Sequence, residues 1–151
     1  MCLTVYNKGF LSLFCAKEEF KASKDITCYK LVRKNINEDG TCTYVSPFQD
    51  EWVWETGKTY TDKISLYKWQ YDKDGPLHIG RGMFHTNRTL FAAKLLKKWL
   101  MYEWLEEKKN FAIAKCVIPK GTEMYKGWFT ETTFGIRNYA SKKLKVVKIL
   151  K

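Results

Sequence analysis

A chain of 151 residues with 45% hydrophobic content, six tryptophans, nine tyrosines and nine phenylalanines can bury a domain-sized core, which excludes intrinsic disorder. Lysine and arginine outnumber aspartate and glutamate 27 to 16, a net charge of +11, the balance of a protein that meets anions: nucleic acid, nucleotides or an acidic protein. The first apolar run, residues 9–16, stops at Lys17, Glu18 and Glu19 without a cleavage pattern, so neither signal peptide nor membrane helix is expected.

Residues 10–22 place Phe10, Leu13, Phe14 and Phe20 near helical spacing, which predicts a short N-terminal helix. Residues 26–34 are rich in β-branched and aromatic side chains, and 41–45 repeat the pattern after Asp39-Gly40, so the two form a hairpin. Ser46-Pro47 ends it. Residues 48–62 mix acids with Trp52 and Trp54. They suit a loop or bent strand laying both rings on the core, or else an aromatic platform for a flat ligand. A further strand is predicted at 64–71, closed by the turn Asp74-Gly75-Pro76.

The stretch 78–109 organises the rest. Gly80 and Gly82 flank Arg81 and free the backbone there, Met83-Phe84 continue as a short strand, and Thr86 or Asn87 can cap a helix starting near Arg88. Ala92, Ala93, Leu95, Leu96, Trp99 and Leu100 share one helical arc, with Lys94, Lys97 and Lys98 opposite. Glu103, Glu106 and Glu107 then fall on the apolar arc, so the helix ends around 104–108. Residues 111–118 are apolar on both faces apart from Lys115, as in a central strand, and Pro119-Lys120-Gly121 turns the chain. A strand at 122–130 interrupted at Gly127, and a last one at 144–150 near a sheet edge, complete the chain. The expected fold is a single α+β domain spanning 1–151. One mostly antiparallel or mixed sheet of about six strands packs on one long helix, with a short N-terminal helix.

Two histidines, His78 and His85, and five cysteines without a CxxC pair match no zinc signature, so neither metal nor cofactor is expected. Cys28 and Cys116 sit in apolar runs and behave as small hydrophobes, which fits reduced thiols in a cytoplasmic protein. No nucleophile elbow, Walker sequence or dinucleotide fingerprint is present. The chemistry left is binding. Arg81, His85 and Arg88 cluster where a glycine-flexed bend enters the helix, a place suited to holding a phosphate. Trp52, Trp54 and Trp128 are available for stacking, and from Phe134 onward there are six bases and no acid. A non-catalytic binding protein for a nucleotide or nucleic acid is therefore expected, with a module for an acidic protein partner as an alternative.

The order Tyr29-Lys30-Leu31-Val32-Arg33, Tyr44-Val45-Ser46, Gly57-Lys58, Met83-Phe84-His85, Ala112 to Lys115 and Ile118-Pro119-Lys120-Gly121-Thr122 resembles small domains of bacteriophages and their bacterial hosts. Those carry no assigned reaction; the resemblance implies a phage protein acting in the host cytoplasm. The chain is also similar to ADP-ribosyltransferase folds, which place an arginine on an early strand, a hydroxyl before a helix and a glutamate on a late strand. That likeness implies an enzyme with Arg33 and Thr86 in the site. Residues 144–150 hold no glutamate, which leaves Glu123 or Glu131 for the third role.

Overall fold

Two-residue alternation, far more than helical periodicity, governs the folded chain. The computed structural model describes residues 3–5, 19–47, 49–70, 73, 75–103, 110–129 and 137–150. They form thirteen strands: β1 (Leu3–Val5), β2 (Phe20–Lys21), β3 (Ile26–Ile36), β4 (Cys42–Ser46), β5 (Gln49–Val53), β6 (Thr59–Thr61), β7 (Lys68–Gln70), β8 (Leu77–Ile79), β9 (Phe84–Asn87), β10 (Phe111–Ile118), β11 (Glu123–Phe129), β12 (Arg137–Ser141) and β13 (Lys143–Leu150). One helix, α1 (Leu90–Glu103), follows β9.

All described strands join one sheet in the order β6-β13-β10-β3-β9-β12-β11-β1-β8-β7, with β2 beside β11, β4 beside β3 and β5 beside β4. Every pairing is antiparallel. This corrects the expected α+β fold of about six strands on a long helix: the protein is largely β, and its helix has 14 residues. The strands that composition failed to show are short. β1, β2, β6 and β8 have two or three residues each, too few for alternation to register, and they persist because neighbours complete their hydrogen bonds, whereas the strand expected over 64–71 is present as the shorter β7. The helix expected over 10–22 lies mostly outside the described residues, and its last part, Phe20–Lys21, is the strand β2.

β3 and β10 show why both faces of the sheet are buried. They pair from Ile26↔Ile118 to Arg33↔Phe111, so Cys28 and Cys116 oppose each other on one face while Leu31 and Ile113 share the other. Leu31, Phe111 and Ile113 pack with Leu3, Val5, Ile79, Met83, Tyr125 and the helix residues Ala93, Leu96 and Leu100. Cys28, Val32, Ala114 and Cys116 pack on the far side with Trp54, Tyr60, Phe84, Met124, Tyr139, Leu144 and Val146. The hairpin β3–β4 turns at Asn37–Thr41, where Gly40 takes a φ of 78°. β13 runs along β10 but meets β6 only over Lys143–Lys145, leaving Val147 40% exposed at the open edge.

The helix starts later than its sequence suggests. Thr86 and Asn87 belong to β9, and Thr89 is the cap: its Oγ1 accepts from the Ala92 N–H at 3.1 Å, and its carbonyl from the Ala93 N–H at 3.1 Å. Lys94 and Lys98 are exposed as expected. Lys97 instead turns its ammonium onto the Phe111 carbonyl, and burial lowers its pKa. β11 runs unbroken through Gly127, and glycine is what the close approach of β1 requires there: a Cβ would lie 2.3 Å from the Thr4 carbonyl oxygen.

Candidate anion-binding cavity

β9, β11 and β12 lie side by side, and their register collects cations. Tyr139 on β12 opposes Lys126 on β11 and Thr86 on β9, while Arg137 opposes Trp128. Directly opposed residues on antiparallel strands share a face, so Lys126, Trp128, Arg137 and Tyr139 all project from the side of the sheet that α1 does not cover. Where β9 ends, the Arg88 N–H donates to the Arg137 carbonyl at 3.2 Å, fixing that arginine beside β12. The result is a cavity of about 200 Å³ lined by Arg88, Lys126, Gly127, Arg137, Asn138 and Tyr139. None of these described lining residues is a carboxylate.

The electrostatics suit an anion. Arginine keeps its charge in proteins at any physiological pH and presents a planar fork of donors. Lys126 holds its ammonium 5.0 Å from the Phe20 ring centroid. Tyr139 is almost wholly buried, and burial raises its phenol pKa against the opposing pull of Arg88 and Arg137. It therefore stays a neutral hydroxyl able to donate.

Of the three residues that the sequence groups at the helix entrance, Arg88 lines this cavity. Arg81 is exposed in the bend after β8, where its carbonyl accepts from the Tyr67 N–H at 3.0 Å. Gly82 supplies the conformation that the bend needs, with a φ of 87° and the backbone of 64–66 pressed against it. His85 turns inward. Its Nε2–H donates to the Gly80 carbonyl at 2.8 Å, its Nδ1 is closed off from solvent, and burial lowers its pKa to about 4, helped by the nearby Lys30 charge. It is neutral at pH 7.

The remaining candidates are mainly packing. Arg33 is half-buried between Phe111 and Val45 in the sheet. Trp54 is buried, and Trp52 stacks on it at 6.2 Å while meeting Phe84 edge-on at 5.1 Å. Trp128 is 9% exposed. Thr86 is fully buried with its hydroxyl beside the Cys28 thiol, Glu123 is exposed at the start of β11, and Glu131 lies outside the described residues.

Sequence reasoning passed over Lys126, Asn138 and Tyr139, and took Arg137 only as one base of a basic C-terminal run. Alternation across 122–130 and 137–141 was the available signal, but it needs the strand register to become a site. It also passed over Lys30, which is 8% exposed on β3. Its ammonium lies 4.9 Å from the Trp54 ring centroid and donates to the His85 carbonyl at 3.3 Å; burial lowers its pKa to about 8. The neighbouring thiols of Cys28 and Cys116 are free, with that of Cys28 pushed up to about 12 by burial. Among the described residues no cluster of histidine, cysteine or acid is placed to hold a metal, and no helix is long and apolar enough to cross a membrane. No family model, curated protein or solved structure matches the chain.

Proposed function

We propose that the protein is a basic, non-catalytic binding protein for a phosphorylated ligand, either a nucleotide or a nucleic acid, with Arg88, Lys126 and Arg137 as its phosphate contacts. The observation that carries this reading is the cavity, whose lining brings Arg88, Lys126 and Arg137 together beside a neutral phenol. At about 200 Å³ it is smaller than the roughly 300–1,000 Å³ that encloses a drug-sized ligand. One phosphate group fits such a space, with the rest of the ligand outside it. Guanidinium forks bind phosphate oxygens in pairs, which favours arginine over lysine for the orienting contacts. Proton-transfer chemistry has little to draw on here, since His85 is neutral with its Nε2–H committed to the Gly80 carbonyl.

Titration calorimetry with pyrophosphate and with octathymidylate tests the reading. Both are expected to bind at low salt. The octamer's affinity should fall with a log–log slope of roughly −0.7 per phosphate neutralised. A triple variant Arg88→Gln, Lys126→Gln, Arg137→Gln should lose both ligands. Unchanged binding by that variant would place the anion elsewhere and overturn the proposal.

A further inference from the structure

One row of side chains leads away from the cavity along the same sheet face. Arg137 opposes Trp128, Trp128 opposes Thr4, Thr4 opposes His78, and His78 opposes Trp69, so five strands contribute one residue each in register. The neighbours Leu3, Val5 and Ile79 point to the helix side, which confirms that Thr4 and His78 project from the other. At about 4.8 Å between strands, the row from Arg137 to Trp69 is roughly 19 Å long. Its middle is covered, with Thr4 fully buried and Trp128 nearly so. Its far end is more open, with Trp69 and His78 half-buried and Tyr67 exposed.

That open end is built from rings. Trp69 lies on His78 with centroids 5.2 Å apart and planes 14° from parallel, and Tyr67 joins Trp69 at 5.3 Å. Thr4 Oγ1 is 3.2 Å from His78 Nδ1 and fixes the imidazole plane. Gly80 leaves the rings their room: a Cβ there would stand 2.9 Å from the Trp69 ring and 3.2 Å from that of Tyr67. Tyr67 remains 59% exposed at the rim of the sheet, where an apolar ring gains nothing from the core.

We infer that the phosphorylated ligand is a single-stranded nucleic acid. One backbone phosphate sits in the Arg88–Lys126–Arg137 cavity and a base stacks on the Tyr67–Trp69–His78 rings. Only an unpaired strand offers its base faces to such rings, and a net charge of +11 complements its backbone. The buried middle makes this a two-point contact, so ligand length matters. At the 3.4 Å per nucleotide of a fully stacked strand, the roughly 19 Å interval takes at most about six nucleotides. A free nucleotide reaches only one end.

This inference rests on the cavity being a phosphate site, and one experiment separates the two. Affinities are measured for octathymidylate, dithymidylate and an abasic octamer with the same number of phosphates. Octathymidylate should bind about tenfold or more tighter than either of the others. Trp69→Ala, and the exposed Tyr67→Ala as the variant least able to disturb folding, should reduce that advantage and leave the abasic octamer unaffected. If the abasic octamer binds as well as octathymidylate and neither variant alters this, base stacking is overturned while the phosphate site stands. If no octamer binds even at low salt, the phosphate site fails and this inference with it.

Discussion

Lys30 and the Arg88–Lys126–Arg137 cavity put positive charge on one face of one sheet under opposite conditions. Around Lys30 the core closes: Trp54, Cys28 and Cys116 surround the amine, the His85 carbonyl is its hydrogen-bond acceptor, and burial brings its pKa down to about 8. At the cavity the sheet face opens, and Arg88 and Lys126 are exposed to whatever anion arrives. The lesson is that residue type does not decide what a cation is for. A charge without water or a counter-ion costs stability, whereas a solvated one costs little and is available to a ligand. Stability measured against pH and ligand should therefore separate the two regions.

His85, beside Lys30, carries the largest expected effect. Its folded pKa of about 4 lies below the ordinary value of 6.5, so between those two values the unfolded chain takes up a proton that the folded chain refuses. Stability is then lost as pH falls from 6.5 towards 4, by on the order of 3 kcal/mol across the window. Half-exposed His78 adds a smaller loss of the same sign, its pKa also being lowered by burial. His85→Gln keeps an N–H donor for the Gly80 carbonyl but cannot titrate. Chemical denaturation of both proteins from pH 7 to 4 should show the wild type losing ground to the variant. Parallel curves would mean that the ring is reached by water and is not part of the closed region.

Lys30 should act at the alkaline end with the opposite sign. Between its folded value of about 8 and the ordinary 10.5, the unfolded chain holds a proton that the folded chain has released, so stability gains as pH rises. Buried Cys28 and Cys116 work against this above pH 9, because their raised thiol pKa values penalise the folded state as thiols of the unfolded chain ionise. The clean measurement is the difference between wild type and Lys30→Met. From pH 8 to 9.5 wild type should gain on the variant by about 2 kcal/mol. No relative gain would show that Lys30 keeps its proton in the fold.

These contrasts mark what the sequence could reveal. The hairpin at Asp39-Gly40, the doubly buried strand 111–118 and the main helix are legible because each depends on local pattern: a turn residue, an apolar run, a 3.6-residue arc. Trp69 and Arg137 were not connected by any such pattern, since they lie 68 positions apart and meet one row only through the register of β12, β11, β1, β8 and β7. Arg81, His85 and Arg88 are close in sequence, yet a tight bend and an inward ring separate them. The burial of Lys30 has no local signal either, because β10 and Trp54 cover it from distant parts of the chain.

The smallest stability effect belongs to the cavity, and it tests the comparison most directly. Arg88 is exposed, so Arg88→Gln should change unfolding free energy by no more than about 0.5 kcal/mol, with any change upward from relieved repulsion by Arg137 and Lys126. Ligand should reveal what bare stability hides. A ligand that binds only the folded state stabilises it by RT ln(1 + [L]/Kd), about 2.7 kcal/mol at a hundredfold excess over Kd. Saturating pyrophosphate should therefore raise the wild-type melting temperature clearly and that of Arg88→Gln much less, at equal stability without ligand. A variant that loses stability but keeps its pyrophosphate response would reverse the assignment, making Arg88 a packing residue and leaving the cavity's charge to Arg137 and Lys126 alone.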